Sequence, residues 1–176
     1  MTSTDARFPI GRFTFEGEVT PERRREWIAR IAAAPGAIRA AVAGLSDRQL
    51  DTPYRDGGWT VRQLVHHIPD SHMNAYTRMK LALTEESPTI KPYEEDLWAR
   101  LPDTAATPPE VSLALLDALH ARWVALMEAL DEAQWKRTLH HPVNGPMTLD
   151  RLLALYAWHG DHHAAHLTSA RDRLEW

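Results

Sequence analysis

Four long stretches of this chain carry apolar residues at three- and four-residue spacing, and each opens with a hydroxyl side chain where a helix would start. Thr20-Pro21 puts a capping oxygen ahead of a proline whose missing N–H does no harm in a first helical turn, and predicts a helix to about Gly44. Thr60-Val61-Arg62-Gln63 is a capping box that opens a second helix, lasting to about Thr84. Thr107-Pro108-Pro109-Glu110 opens a third, through about Leu130, and Thr148 a fourth that runs almost to Trp176. Four such helices predict an all-α four-helix bundle. Its single domain spans 1–176, in keeping with a length of 176 residues.

The connections refine that expectation. Ser46-Asp47-Arg48-Gln49 is a further capping box for a short turn of helix, which Asp56-Gly57-Gly58 ends. The stretch Ala43 to Leu50 has a partner in Glu128 to Trp135, since each follows a long helix and precedes a glycine-containing break and another long helix. This suggests two helix hairpins joined by the link Glu85 to Ala106. A link that long is uncommon in a compact domain and can cross the bundle, giving an up-down-down-up arrangement. Tyr93 to Trp98 within it is expected to form a short lid-like helix. Residues 1–19 scatter Ile10, Phe13, Phe15 and Val19 among Gly, Arg and Glu. They form an extended arm that packs along its own bundle or crosses to a partner subunit.

Composition removes several function classes. The chain has no Cys, so it offers no disulfide, no Cys-based zinc finger, no iron–sulfur cluster and no Cys nucleophile. Lys plus Arg number 20 against 24 Asp plus Glu, which gives no basic excess for nucleic acid. No apolar run reaches the roughly 18 residues of a membrane span, and the N-terminus lacks basic-then-apolar signal character, so a cytoplasmic protein is expected. The chain is rich in His, with 10, and in Trp, with 7. Trp27, Trp59, Trp123 and Trp158 read as core and interface. The histidines fall mainly in three clusters, His66/His67/His72, His140/His141 and His159/His162/His163/His166.

Helical geometry turns the last cluster inward. At about 100° per residue, His163 lies about +40°, His166 about −20° and His162 about −60° from His159, in the arc of Leu152, Leu155 and Tyr156. Imidazoles in a bundle interior need both ring nitrogens satisfied, and a metal ion does this for His159 and His163, one turn apart. On the second helix Gln63, Ser71, Asn74 and Arg78 lie within about 40° of His67, on a face shared with Leu64 and Leu81. A polar stripe on a core-facing surface implies a pocket, and His67 becomes the third ligand of a site with an open position. Asp70, one turn on, is placed to orient an imidazole N–H. His162 and His166 are candidate proton-transfer groups, and Ser71, Asn74, Gln63 and Arg78 candidate substrate contacts, Arg78 for a carboxylate. His66 reads as packed and His140-His141 as turn surface. Gly160 stands where a zincin helix carries its glutamate, and Glu-x-x-His pairs of two-metal bundles are absent.

The run Gly58-Trp59-Thr60-Val61-Arg62-Gln63-Leu64-Val65-His66-His67-Ile68, with Asp70-Ser71, and the later run from Trp158 to His166 resemble the DinB-like superfamily. The resemblance is closest to its YfiT-type branch of metal-dependent hydrolases and bacillithiol S-transferases, and covers nearly the whole chain. It implies a four-helix bundle, commonly a homodimer, with one divalent metal on His67, His159 and His163. Zinc is the availability-weighted choice and nickel a possible occupant. Two departures are Pro69 inside the second helix, expected to kink it, and His166 where many members carry Gln. Three functions follow as expectations. The first is transfer of a low-molecular-weight thiol to an electrophile, with the sulfur brought by the cosubstrate. The others are hydrolysis of an amide or ester by metal-activated water, and a non-catalytic metal-binding dimer.

Overall fold

The computed structural model describes residues 5–176. Four long helices, α1 (Pro21–Val42), α3 (Val61–Thr84), α6 (Pro109–Glu128) and α8 (Leu149–Leu174), form the bundle. Between them lie the short helices α2 (Asp47–Leu50), α4 (Glu95–Trp98), α5 (Pro102–Ala106) and α7 (Glu132–Trp135), and strands β1 (Thr138–His141) and β2 (Gly145–Thr148). The start signals act as expected. The Thr20, Thr60 and Thr148 side chains accept from the amides of Arg23, Gln63 and Arg151, and Thr60 with Gln63 closes a full capping box. Helix α6 differs: it starts at Pro109 behind Pro108, with no side-chain cap from Thr107.

The repeated stretch builds the same local structure twice. Ser46–Gln49 and Asp131–Gln134 are both complete capping boxes, opening α2 and α7. After each, the chain doubles back to the capping threonine of the next long helix. In one case this is the single bridge Pro53↔Thr60, in the other the antiparallel hairpin β1–β2, which pairs Thr138 with Thr148. The hairpin adds one small two-stranded sheet to the expected four-helix bundle, and it places His140 and His141 on a strand rather than in a turn.

Helix directions follow the up-down-down-up order. The Arg24–Asp150 and Arg30–Asp161 pairs run α1 and α8 parallel, and His66–Ser112 and His72–His120 do the same for α3 and α6. Neighbour relations are less intuitive. Helix α1 packs chiefly on α8 and α6, and α3 on α6 and α8, so the helices that follow each other within each expected hairpin sit across diagonals instead of packing together. The close α1–α8 approach uses Gly160, where a Cβ would meet the Ala34 Cβ at 3.0 Å. Helix α3 runs through Pro69 without a break. The arm lies on its own bundle, with Phe13 against Trp158 and Phe15 against Trp27.

Two apolar clusters fill the bundle. One centres on Trp27, Met79, Trp123 and Leu153, the other on Ile38, Leu64, Ile68 and Leu116. A buried ion pair fixes one end: Arg24 Nε donates to Asp150 Oδ1 at 2.6 Å, Lys136 Nζ to Asp150 Oδ2 at 3.0 Å, and Arg24 also reaches Glu132. Arg24 and Asp150 are each 4% exposed as side chains, so deleting one strands the other's charge away from water. Asp150→Ala is expected to lower unfolding free energy by about 3 kcal/mol, the low end for a broken buried pair because Glu132 still faces Arg24. Urea denaturation checks it.

Candidate metal centre

The layer between the two clusters is made of imidazoles. Helix α3 supplies His67 and His72, α6 supplies His120, and α8 supplies His159, His162, His163 and His166. All are buried except half-buried His159. One ring nitrogen from each of His67, His159 and His163 lies within 4.8 Å of the other two, a spacing that one ion can bridge. His159 Nε2 and His163 Nε2 are 3.1 Å apart, and Ser71 Oγ is 3.5 Å from the former. Nitrogens of His162, His163 and His166 form a second group of the same compactness, sharing His163. Three convergent neutral imidazoles suit a borderline-soft divalent cation better than any other group, so the residues present fit a zinc- or nickel-type ion.

The centre opens into a cavity of about 520 Å³ whose walls include Trp59, His67, His159, His162, His163 and His166. Arg7 and Phe8 of the arm close one side, and Arg55 another. The Trp59 ring meets His67 edge-on at 4.8 Å, and its Nε1 donates to Asp96 Oδ1 at 2.8 Å, tying α4 over the site as a lid. His162 stacks on Trp158 at 4.2 Å. A smaller cavity of about 200 Å³ shares His159 and Glu95 with the first and adds Ser71, Arg78, His141 and Tyr156.

Of the remaining residues singled out in the sequence, Ser71 and Arg78 border this second chamber. Gln63 does not reach either one: its Oε1 accepts from the Thr60 amide and its Nε2 donates to the Ala99 carbonyl, so capping consumes it. Asn74 donates to the Asp70 carbonyl and faces a separate groove with Tyr93 and Trp98. The Asp70 carboxylate hydrogen-bonds no imidazole among the described residues. His66 is packed away, its Nδ1 2.7 Å from Ser112 Oγ.

The neighbour that Asp70 was expected to provide is His72. Its Nε2 lies 3.0 Å from His159 Nδ1, and its Nδ1 lies 2.8 Å from His120 Nε2. His120 Nδ1 in turn lies 2.6 Å from the Ile31 carbonyl oxygen. Sequence reasoning passed over both. His72 sits about 140° from His67 on its helix and His120 is isolated in the chain, so only the packing of α3 against α6 brings them together. Glu95 and His141 were also missed, because a long link and a strand deliver them to the cavities.

A sequence model described as the DinB superfamily matches residues 30–167. The chain belongs to the DinB superfamily. Among its relatives, a Bacillus mycoides (strain KBAB4) protein named "Putative metal-dependent hydrolase" is 54% identical over 172 residues, covering 98% of this chain and 99% of the relative. A Bacillus cereus (strain B4264) protein of the same description is 53% identical over the same coverage. Among solved structures, YfiT from Bacillus subtilis, described as a probable metal-dependent hydrolase with an unusual four-helix bundle topology, matches with a TM-score of 0.95 at 46% identity. That match covers 98% of this chain and 99% of YfiT. The four-helix bundle protein TT2238, 21% identical with a TM-score of 0.58 over 80% of this chain and 94% of its own, shares the fold.

Burial sets the charge state of this DinB-superfamily centre. It pushes His67 and His162 down to about 4, with the His166 ring adding to the effect at His162. Burial also lowers His66, His72, His120, His159, His163 and His166. Depressed folded-state values mean that the unfolded chain binds more protons, so this stability is present above about pH 6.5 and is lost as pH falls toward 4. Asp70 acts in the opposite sense: burial raises it to about 6, which favours the folded state as pH falls. Burial raises Glu95 as well, and two carboxyls against many imidazoles leave the net slope with the histidines. The metal-free protein is therefore expected to lose thermal stability steadily from about pH 6.5 to 4, as followed by circular dichroism melts; a flat profile would count against neutral buried rings.

Proposed function

We propose that this protein is a metal-dependent hydrolase of small-molecule amides or esters, with one divalent ion held by His67, His159 and His163. The observation that carries the reading is the convergence of three imidazole nitrogens within 4.8 Å at the floor of an open cavity. Three protein ligands leave a coordination position free, as catalytic rather than structural zinc sites do. The names borne by relatives more than 50% identical over nearly the whole chain support the same class. Zinc is the ion proposed, and nickel suits the same ligands.

When bound, the ion supplies Lewis acidity toward a carbonyl oxygen and makes water nucleophilic near neutral pH. The chain's own residues handle the proton and the substrate. His162 lines the cavity and is neutral at pH 7, so its ring can take a proton there and return it to a leaving group. His166 lines the same wall as an alternative carrier. Ser71 and Arg78 offer a hydroxyl and a cation to a substrate group that extends into the smaller cavity. The arm and the Trp59–Asp96 contact limit access of bulk water.

A second reading uses the same three histidines: an external low-molecular-weight thiol occupies the open position and its sulfur attacks an electrophile. The lack of Cys favours an outside sulfur source over a protein nucleophile in any such reaction. The discriminating assay gives zinc-loaded protein a panel of esters and amides with and without added thiol. Hydrolysis unaffected by thiol is expected, and turnover that requires thiol would replace the first reading with the second. His67→Ala is expected to abolish stoichiometric metal binding and lower kcat/KM by more than about 100-fold. Chelation is expected to stop turnover while leaving a cooperative melt, because the apolar clusters fold the bundle on their own. Unfolding on chelation would instead indicate a structural ion in a non-catalytic protein.

A further inference from the structure

The buried histidines behind the metal centre form a directional chain, and its starting point lies in helix α1. Pro35 sits inside α1 and has no N–H, so the carbonyl four residues earlier, that of Ile31, loses its helical hydrogen bond. Ile31 is fully buried, and a free carbonyl there needs another donor. His120 supplies it, with Nδ1 at 2.6 Å. Because a carbonyl oxygen only accepts, His120 must carry its proton on Nδ1, which leaves Nε2 of the neutral ring as an acceptor.

The same logic passes inward. His72 Nδ1, at 2.8 Å from His120 Nε2, must donate to it, and this leaves His72 Nε2 as an acceptor. His159 Nδ1, at 3.0 Å from His72 Nε2, must then donate in turn, so the lone pair of His159 is left on Nε2. That nitrogen faces His163 Nε2 and Ser71 Oγ at the centre. The chain is tightly packed: the His72 and His120 ring planes lie 11° from parallel with centroids 4.9 Å apart, as an in-plane N–H to N bond requires, and Trp123 packs edge-on against both. Both rings are nearly inaccessible, His72 at 0% and His120 at 2%, so no bulk water competes for these nitrogens.

We propose that His72 and His120 are positioning residues, and that the Ile31 carbonyl freed by Pro35 acts through them to lock His159 as the Nδ1-protonated tautomer with Nε2 open toward the cavity. This deepens the metal-centre reading and rests on it for its purpose, while the tautomer itself is a property of the metal-free chain. The role is one that a carboxylate or carbonyl beside a liganding imidazole often fills. Here two imidazoles extend that link across the bundle from α8 through α3 and α6 to α1.

The test measures the two claims separately. In metal-free protein labelled with ¹⁵N-histidine, long-range ¹H–¹⁵N spectra near neutral pH should show His72, His120 and His159 all protonated on Nδ1. A proton on Nε2 of His159 would overturn the proposal without any variant. His120→Leu removes the acceptor for His72 and should mix the tautomers of His72 and His159, weakening zinc affinity by about 10- to 100-fold. His120→Gln offers an amide oxygen to His72 and should recover most of that loss, which a merely space-filling role would not predict. Wild-type affinity and tautomers in a folded His120→Leu protein, checked by its circular dichroism spectrum, would sink the idea. Should wild-type protein show the three Nδ1 protons yet bind no zinc, the relay stands and the metal reading falls.

Discussion

The need to keep a layer of buried imidazoles neutral and partnered governs this molecule. Apolar clusters lie above and below the layer and shut water out on its core side, where each unsatisfied ring would cost about 1–3 kcal/mol. The bundle meets that demand in two ways. On the cavity side three rings converge on one point. On the core side one ring hands its N–H to the next until a backbone oxygen ends the series. Helix directions, the glycine contact at Ala34 and the proline in α1 serve this arrangement as much as they serve packing.

The topology makes it possible. Because α1 and α3 occupy one diagonal and α6 and α8 the other, the three convergent imidazoles come from α3 and α8, which are adjacent and antiparallel, while α6 and α1 stand behind them. A bundle of simple hairpins would pair α1 with α3 and α6 with α8. That order would separate His67 from His159 and His120 from Ile31. The long crossover between α3 and α6 permits the other order, and its short helix α4 is then available to cover the cavity.

Most helix starts and the inward face of α8 are readable from the chain because they depend on local chemistry: a threonine three residues ahead of a glutamine, a histidine four residues from another. The convergence of His67 with His159 and His163 could be inferred for the same reason, each helix presenting its polar face inward. Asp70 and Gln63 show where this reading fails. Both have the right spacing for the site, but Gln63 is drawn into its own helix cap and the Asp70 carboxylate hydrogen-bonds no imidazole among the described residues. His72 and His120 fail in the other direction, since nothing local marks either one and their meeting depends on which helices become neighbours. The hairpin at Thr138–Thr148 escaped notice because its strands are four residues each and contain Pro146 and Gly145, which weaken any alternation signal.

The pairing of α1 with α8 also bears on how the protein is made. These two helices pack most extensively in the bundle, yet every other element of the bundle lies between them in the sequence. During synthesis α1 emerges before α8 and must wait for everything between them before its main partner leaves the ribosome. Until then its apolar face has only α6 to cover it, and the ion pair around Asp150 cannot form. A nascent chain that has made α1 but not α8 is therefore the vulnerable one, and removing α8 would undo α1.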